Sequence, residues 1–504
     1  MSKQPDTTLF DDLHIFEMAN NHQGDLAHGL AIIDAAAQLK ARHGVKTAVK
    51  LQFRELDSFL HPSAKGRTDI KHVARFESTR LDTEEFRQLL QAIRNGGMLS
   101  VVTPFDEASV EVCHALGVDV LKVASCSATD WPLLEAIAAA GKPVIASTGG
   151  LSIYQIDNLV TFLSKRVPSL AVMHCVSLYP TPPEQHSMNF MSKMARRYPY
   201  VAIGYSGHEA PDNTDVVTVA IAKGARLLER HFGVPTETIT LNGYSMNPEQ
   251  ADGWLAAAER ARAICGNGQE KTVSDAEAQS LFELQRGVFA TRPIKRGEPL
   301  SRGDVFFAMP CEPGQLTSGQ FGQYRTHYVA SRDYAPDEAV YEDAQADSLS
   351  HLRGILHDAK GQLYEAGLPL GDDITIEVSH HYGLDRCREV GCVLVNSINR
   401  DDYCNKFLIM LPGQRHPHHR HERKEETFHV LWGDLEVDLD GNIVHLNAGD
   451  KLLVERNQLH AFRSEHGCIF GEISTRSIRS DSYYADAKIA AMDPLERKTI
   501  VESW

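Results

Sequence analysis

Residues 99–148, LSVVTPFDEASVEVCHALGVDVLKVASCSATDWPLLEAIAAAGKPVIAST, decide the fold. Three short apolar runs stand in this stretch, LSVVTPF (99–105), VLKVAS (120–125) and PVIAST (143–148), and each reads as a strand. Between them lie amphipathic segments, SVEVCHALG and WPLLEAIAAAG, each ending in the glycine that stops a helix. The alternation continues in both directions. HIFEMAN (14–20) and KTAVKLQF (46–53) precede it, and LAVMHCVS (170–177), VAIGYSG (201–207) and RLLERHF (226–232) follow. Eight strands, each followed by a helical stretch over roughly 250 residues, predict a (β/α)8 barrel spanning residues 10–268. The rival is a doubly wound open sheet, but no GxGxxG follows the first strand.

A chain of 504 residues is too long for one core, and the pattern changes after the barrel. The polar run 266–283 reads as a linker, and RGVFATRPIKRGEPLSRGDVFFAMP opens a compact β-rich module over 284–345. The helical connector SLSHLRGILHDAKGQLYEAG (348–367) leads to residues 373–480. There, runs such as LEVDLDGNIVHLNAGDKLLV alternate apolar and polar positions, as antiparallel strands do.

A net charge of -16 argues against a nucleic-acid surface, which requires clustered Lys and Arg. It leaves room for a phosphorylated small substrate held by a few cations in one cleft. Nothing approaches the ~18 continuous apolar residues of a membrane span. The opening MSKQPDTTLFDD lacks the segments of a signal peptide, so the cytoplasm is expected. Nine scattered cysteines without a CxxC pair read as reduced thiols.

Active sites of such barrels lie at the C-terminal ends of the strands. Polar residues gather there: Glu17, Asn21 and His22; Lys50 and Gln52; Thr103; Lys122 and Ser125; Ser147 and Thr148; His174, Ser177 and Tyr179; Ser206 and His208; and His231. Lys50 and Lys122 sit inside apolar runs, where an ammonium must find an anion or lose its charge. With Thr103, Ser125 and Ser147 they make a cradle for phosphate or carboxylate; a buried pair with Glu17, or a Schiff-base lysine, are the alternatives. His208 and His231 end neighbouring strands, where two imidazoles can hold a divalent ion with positions left open. Such an ion would act as a Lewis acid on a carbonyl oxygen. Glu17, read as the only carboxylate of the group, suits proton handling.

These residues lie in EMANNHQGD, VKLQF, TPFD, LKVAS, GKPVIASTGG, HCVSLYPTPPE, IGYSGH and LERHF, in an order and spacing that resemble the bacterial sialic acid synthases. RPIKRGEPLSRGDV resembles the antifreeze-like (SAF) module that follows the barrel in that family. The resemblance implies a manganese-type ion on His208 and His231. It implies phosphoenolpyruvate on Lys50, Thr103, Lys122, Ser125, Ser147 and Ser206. Glu17, Gln52 and Tyr179 would face the sugar and the reacting water. In the family the enol carbon attacks the aldehyde of an N-acyl-mannosamine-like sugar, water adds at C2, and phosphate leaves by C–O cleavage. A homodimer is also implied, with the SAF module reaching the partner's barrel. Another phosphoenolpyruvate-dependent 3-deoxy sugar acid synthase and a non-catalytic sugar sensor are the competing functions.

Four positions depart from the family. Gly207 replaces an Asp, Leu241 replaces an Asp on the sugar, Met309 stands where the SAF module offers an Arg, and Ser177 replaces an Asn. The donor and metal positions are kept while sugar contacts change, so a different aldehyde is expected. Asn242 or Arg325 would be the residues restoring a lost contact.

LPGQRHPHHRHERKEETFHVLWG (411–433) resembles the first cupin motif, with Gly413, His419, His421, Glu426 and Gly433 at its offsets. AGDKLLVERNQLHAF (448–462) gives a looser second motif with Gly449 and His460, but has Glu455 and Asn457 where Pro and Gly are common. Three histidines and a glutamate on facing strands form a ligand set for a second divalent transition metal. A cupin that feeds or checks the sugar is expected.

Overall fold

The computed structural model describes residues 7–266, 271–322, 327–341, 344–345, 348–371, 374–478 and 480–502. Arg325 and the expected domain edges at 268 and 373 lie outside them. The chain forms two compact units, Met1–Lys271 and Thr272–Trp504.

The first unit is the expected barrel. Strands β1 (Leu13–Glu17), β2 (Thr47–Phe53), β3 (Leu99–Pro104), β4 (Val120–Val123), β5 (Val144–Ser147), β6 (Leu170–Cys175), β7 (Ala202–Gly207) and β8 (Leu227–His231) close in chain order. All pairs are parallel, and β1 closes on β8. Successive side chains of a strand alternate between interior and exterior. At the N-terminal end the inward positions are Ile15, Ala48, Val101, Val120, Ile145, Ala171, Ala202 and Leu227, a packed apolar plug. Branched side chains dominate there with alanines among them, as a filled narrow barrel requires. One or two steps further along the same faces the inward residues become Glu17, Lys50, Thr103, Lys122, Ser147, Cys175, Ser206 and Glu229, all buried. The plug is therefore the floor of a polar mouth. Helices cover the outside through a second apolar layer that includes Ile32, Leu89, Leu134, Leu159 and Trp254.

The second unit begins differently from expectation. The polar stretch read as a linker contains a helix, Asp275–Glu283, capped by Ser274, whose side chain accepts the Glu277 N–H at 3.2 Å. It buries no residue, which is why hydrophobic periodicity did not reveal it. The small module then pairs β9 (Gly287–Ala290) with β11 (Val305–Ala308) and β10 (Pro299–Leu300) with β12 (His327–Val329), which also pairs β13 (Ala344–Gln345). Its core contains Val288, Ile294, Leu316, Tyr334 and Val340.

The C-terminal domain is a larger antiparallel assembly than the sequence suggested. Its strands are β14 (Thr375–His380), β15 (Gly391–Asn399), β16 (Cys404–Met410), β17 (Arg415–Arg420), β18 (Glu426–Leu439), β19 (Asn442–Asn447), β20 (Lys451–Val454), β21 (His460–Arg463), β22 (Cys468–Ser474), β23 (Tyr483–Tyr484) and β24 (Lys498–Val501). Nine run in the order β23-β17-β21-β18-β22-β16-β15-β14-β24, with β19 and β20 each pairing β18, and the last strand pairs with the first of the domain. The helix Ser348–Glu365, read as a connector, belongs to this core: Ile355, Ala359 and Leu363 pack with Val378, Val395 and Ile409. Gly433 has φ +78, and a Cβ there would lie 2.0 Å from the Gly467 carbonyl oxygen. Asn457, where glycine is common, holds φ +67, a left-handed conformation that Asn tolerates. All nine cysteines are free. Among the described residues, no helix is long and apolar enough to cross a membrane.

Candidate active site

In the barrel mouth the two lysines share one carboxylate, and it is not the one expected. Glu229 accepts from Lys50 Nζ at 2.7 Å, from Lys122 Nζ at 2.7 Å and from Ser206 Oγ at 3.0 Å. Burial raises its pKa, but Lys122 and Lys50 outweigh that and hold the carboxyl well below the usual range. Glu17 also forms an ion pair with Lys50 and accepts from Gln52 Nε2 at 3.4 Å. The strand register explains these contacts, since Glu17 is paired with Lys50 on one side and His231 on the other. Glu17 is thus not the only carboxylate of the group. Glu229 stood in LERHF, two residues before His231 and so on the same face, which is the signal that could have found it. Lys50 itself is pulled down to about 7 by burial, opposed by Glu229 and assisted by the neighbouring Lys122.

Ser125 Oγ accepts the Gly149 N–H at 2.9 Å and lies 3.9 Å from Cys175 Sγ. A Cβ at Gly149 would fall 2.3 Å from Ser177 Oγ and 2.9 Å from Ser125 Oγ, so only glycine leaves room for both hydroxyls. Thr103 and Ser147 are buried inward neighbours of the lysines on β3 and β5.

His208 and His231 have ring centroids 5.4 Å apart. His208 Nδ1 lies 2.9 Å from the Val176 carbonyl oxygen; donating there leaves Nε2 as the free lone pair. Burial, with the lysines adding to it, pulls His208 down to about 4, and burial with His208 beside it holds His231 well below its ordinary value. Both rings are therefore neutral at physiological pH, the state in which imidazole ligates metal. Tyr179 packs on His208 with centroids 4.2 Å apart, and Tyr244, which the sequence reading passed over, stands 5.0 Å from His231.

Other sequence candidates are engaged elsewhere. His174 points outward, with Nε2 2.7 Å from the His186 carbonyl oxygen. His22 Nδ1 accepts the Gly24 N–H at 3.0 Å, and Thr148 Oγ1 donates to the Met173 carbonyl at 3.0 Å. Asn21 Nδ2 donates to the Phe232 carbonyl at 2.9 Å and to Ser245 Oγ at 3.2 Å, joining two loops of the rim. Asn242 Oδ1 accepts the Tyr244 N–H at 3.1 Å and so serves its own turn.

Gly207 requires a correction. It faces outward, and a Cβ there would lie 2.3 Å from Glu209 Oε2 and 2.9 Å from Arg230 Cδ. Glu209 pairs with Arg230 at 2.5 Å, accepts Tyr205 OH at 3.1 Å, and both partners are almost completely buried. A side chain at 207 would meet this pair rather than a sugar, so Gly207 is not a lost sugar contact.

The cupin domain holds its own site. His419, His421, Glu426 and His460 are all buried, with ligand atoms within 4.8 Å of one another. Each imidazole turns Nδ1 to a backbone carbonyl: His419 to Pro417 at 3.1 Å, His421 to Asp481 at 2.6 Å and His460 to Gln458 at 3.0 Å. That leaves the three Nε2 atoms for the centre, and His421 Nε2 is buried with no hydrogen-bond partner. The donor set thus fits a divalent transition metal. Beside it, Lys424 contacts Glu426 at 2.5 Å and Glu472 at 3.0 Å. Burial lowers Lys424, but the two carboxylates outweigh it and raise its pKa.

Fold and site together define a (β/α)8 barrel whose mouth gathers two lysines, two glutamates and two histidines, carried on one chain with a cupin whose buried His and Glu donors suit a metal. The chain belongs to the NeuB family, which matches residues 32–270, and residues 406–468 match the Cupin domain. A crystal structure designated spore coat polysaccharide biosynthesis protein E, from Chromobacterium violaceum, is 45% identical with a TM-score of 0.64, covering 66% of this chain and all of its own. The N-acetylneuraminate-9-phosphate synthase of Drosophila melanogaster is 28% identical, covering 62% of this chain and 91% of its own length. The N,N'-diacetyllegionaminic acid synthase of Campylobacter jejuni is 24% identical, covering 66% and 99%.

Proposed function

We infer that the barrel condenses phosphoenolpyruvate with a sugar aldehyde of the N-acylmannosamine class, giving a nonulosonic acid and inorganic phosphate. It is then a carbon–carbon bond-forming transferase. The observation that carries this is the Lys50–Glu229–Lys122 array, with Ser206, beside two neutral imidazoles. Lys50 and Lys122 bind the carboxylate and phosphate, with the hydroxyls of Thr103, Ser125 and Ser147 as further donors. C3 of the enol attacks the aldehyde carbon, water adds at C2, and the C2–O bond to phosphate breaks. Glu17, held by Lys50 and Gln52, takes the water's proton. His208 and His231 would hold a divalent ion such as Mn2+, which supplies Lewis acidity at the aldehyde oxygen. The cupin ligands would hold a second transition metal.

With Gly207 excluded, altered sugar recognition rests on Leu241, Met309 and Ser177. Each lost hydrogen bond costs about 1–3 kcal/mol where the sugar group stays buried. Competition of N-acetylmannosamine against its deoxy and differently acylated relatives, read as phosphate release, tests both parts. The ordinary sugar is expected to have the lower kcat/KM. The highest value for it would overturn the specificity reading, and no phosphate from any aldose would overturn the synthase reading. The 284–345 module is proposed to act as an SAF module in a homodimer, completing the partner's site. A catalytically competent monomer in light scattering would contradict that.

A further inference from the structure

The cupin cavity has a charge pattern that selects a ligand. It measures about 270 Å³, at the small end for ligand pockets, which suits a single sugar rather than a nucleotide-sugar. Lys406, Lys424 and Lys498 line it, facing Glu377, Glu426 and Glu472. Asp481 is a fourth carboxylate of the lining, and its oxygens accept backbone N–H groups of Glu422, Arg423 and Lys424. The three ligand histidines turn Nδ1–H to backbone carbonyls and so present neutral Nε2 lone pairs to the centre. Three ammonium groups against four carboxylates leave one negative charge in the lining. A divalent ion on the four-donor set reverses this to one positive charge. A desolvated net charge is costly, and a monoanion cancels it.

We propose that the cupin cavity binds a monocarboxylate sugar acid, the α-keto acid class that the barrel reaction yields. This rests on the function proposed above for the source of the ligand, and on the cavity's own charges for its class. The barrel's two substrates do not match: the amino-sugar aldehyde is neutral, and phosphoenolpyruvate carries more than one negative charge. The cupin therefore reads product rather than substrate. Its polar lining, with Ser379, Asn396 and Thr375 among the charges, supplies partners for sugar hydroxyls.

Calorimetry tests this on the Mn2+-loaded full chain carrying His231→Ala, which silences the barrel. The probes are N-acetylneuraminate, N-acetylmannosamine and N-acetylmannosamine 6-phosphate. The sugar acid is expected to bind at least ~10-fold tighter than either other probe, about 1.4 kcal/mol. Binding should vanish on adding His460→Ala or, without any cupin substitution, on removing the metal with EDTA. Equal binding of the neutral sugar, preference for the phosphate, or sugar-acid binding that survives EDTA would each overturn the proposal. Phosphate release by wild type is measured separately. If it is absent while the selectivity holds, the barrel function fails and the ligand class stands. If it is present and the cupin ignores the acid, this inference alone fails.

Discussion

The barrel mouth and the cupin cavity both bury lysines against glutamates beside neutral histidines, yet Lys50 in the barrel and Lys424 in the cupin are displaced in opposite directions. In the barrel, Lys50 and Lys122 converge on Glu229, Lys50 also meets Glu17, and burial pulls Lys50 down to about 7. In the cupin, Lys424 alone contacts both Glu426 and Glu472, and its pKa rises. Both ammonium groups are buried and meet two carboxylates each; the neighbouring Lys122 adds to the downward pull on Lys50. The histidines differ too. The barrel brings two neutral imidazoles together, whereas the cupin gathers four protein donors around one centre.

The first prediction would break this comparison most sharply. His208→Ala or His231→Ala is expected to lower phosphate release ~10³-fold or more, since Lewis-acid stabilisation amounts to several kcal/mol. His460→Ala in the cupin should leave phosphate release unchanged in a steady-state assay. Equal losses from both would mean that the two sites are one functional unit, and full activity in the barrel variants would end the assignment.

Glu229→Gln comes next. It leaves two buried ammonium groups without their common partner, which costs about 3–5 kcal/mol when one member of a buried pair is removed. A marked drop in the denaturation midpoint and a ~10²-fold loss of phosphate release are expected. A variant as stable and active as wild type would show that Glu17 alone balances the lysines.

The pH profile sharpens the contrast without a large effect. In the proposed reaction the protonated form of Lys50 holds the anion, and its pKa is depressed to about 7. kcat/KM for phosphoenolpyruvate should therefore fall as pH rises through about 7, approaching tenfold per unit. Lys50→Arg keeps its charge and should remove that alkaline limb. Ligand binding in the cupin should stay level over the same interval, because Lys424 is displaced upward. A flat barrel profile would show that Glu17 and Glu229 keep Lys50 charged.

What the sequence reveals follows from how far apart the partners lie. Every barrel strand was legible, because each alternates faces over a few consecutive residues. The cupin ligands were legible because three of the four sit within eight residues, His419 to Glu426. Glu229 was not, since its meaning depends on lysines that reach it from β2 and β4. The Lys424–Glu472 contact was hidden likewise, as it joins β22 to the turn before β18. The helix Asp275–Glu283 escaped for the opposite reason, having no buried face to leave a period.

The outer face of β7 and β8 supplies the smallest test, and it concerns how the mouth is held in place. Glu209 and Arg230 flank the inward residues His208, Glu229 and His231 on the same two strand ends, so their ion pair ties β8 to the segment following β7. Related sequences with Asp at position 207 would place a carboxylate where Glu209 now lies, because a Cβ at 207 falls 2.3 Å from Glu209 Oε2. Glu209→Thr alone strands a buried guanidinium and should lower stability, with a rise in KM for Mn2+ as the histidine pair loosens. Gly207→Asp alone puts two carboxylates in one place and should also destabilise. The double variant Gly207→Asp/Glu209→Thr returns one carboxylate to Arg230, so its midpoint and metal dependence should recover toward wild type. The coupling between the two changes should fall in the range of about 0.5–3 kcal/mol found for residues in contact. Because the pair lies outside the mouth, kcat at saturating metal should move little in any of the three. A double variant no better than Glu209→Thr would show that position 207 and Glu209 do not share a role, and would reopen position 207 to another explanation.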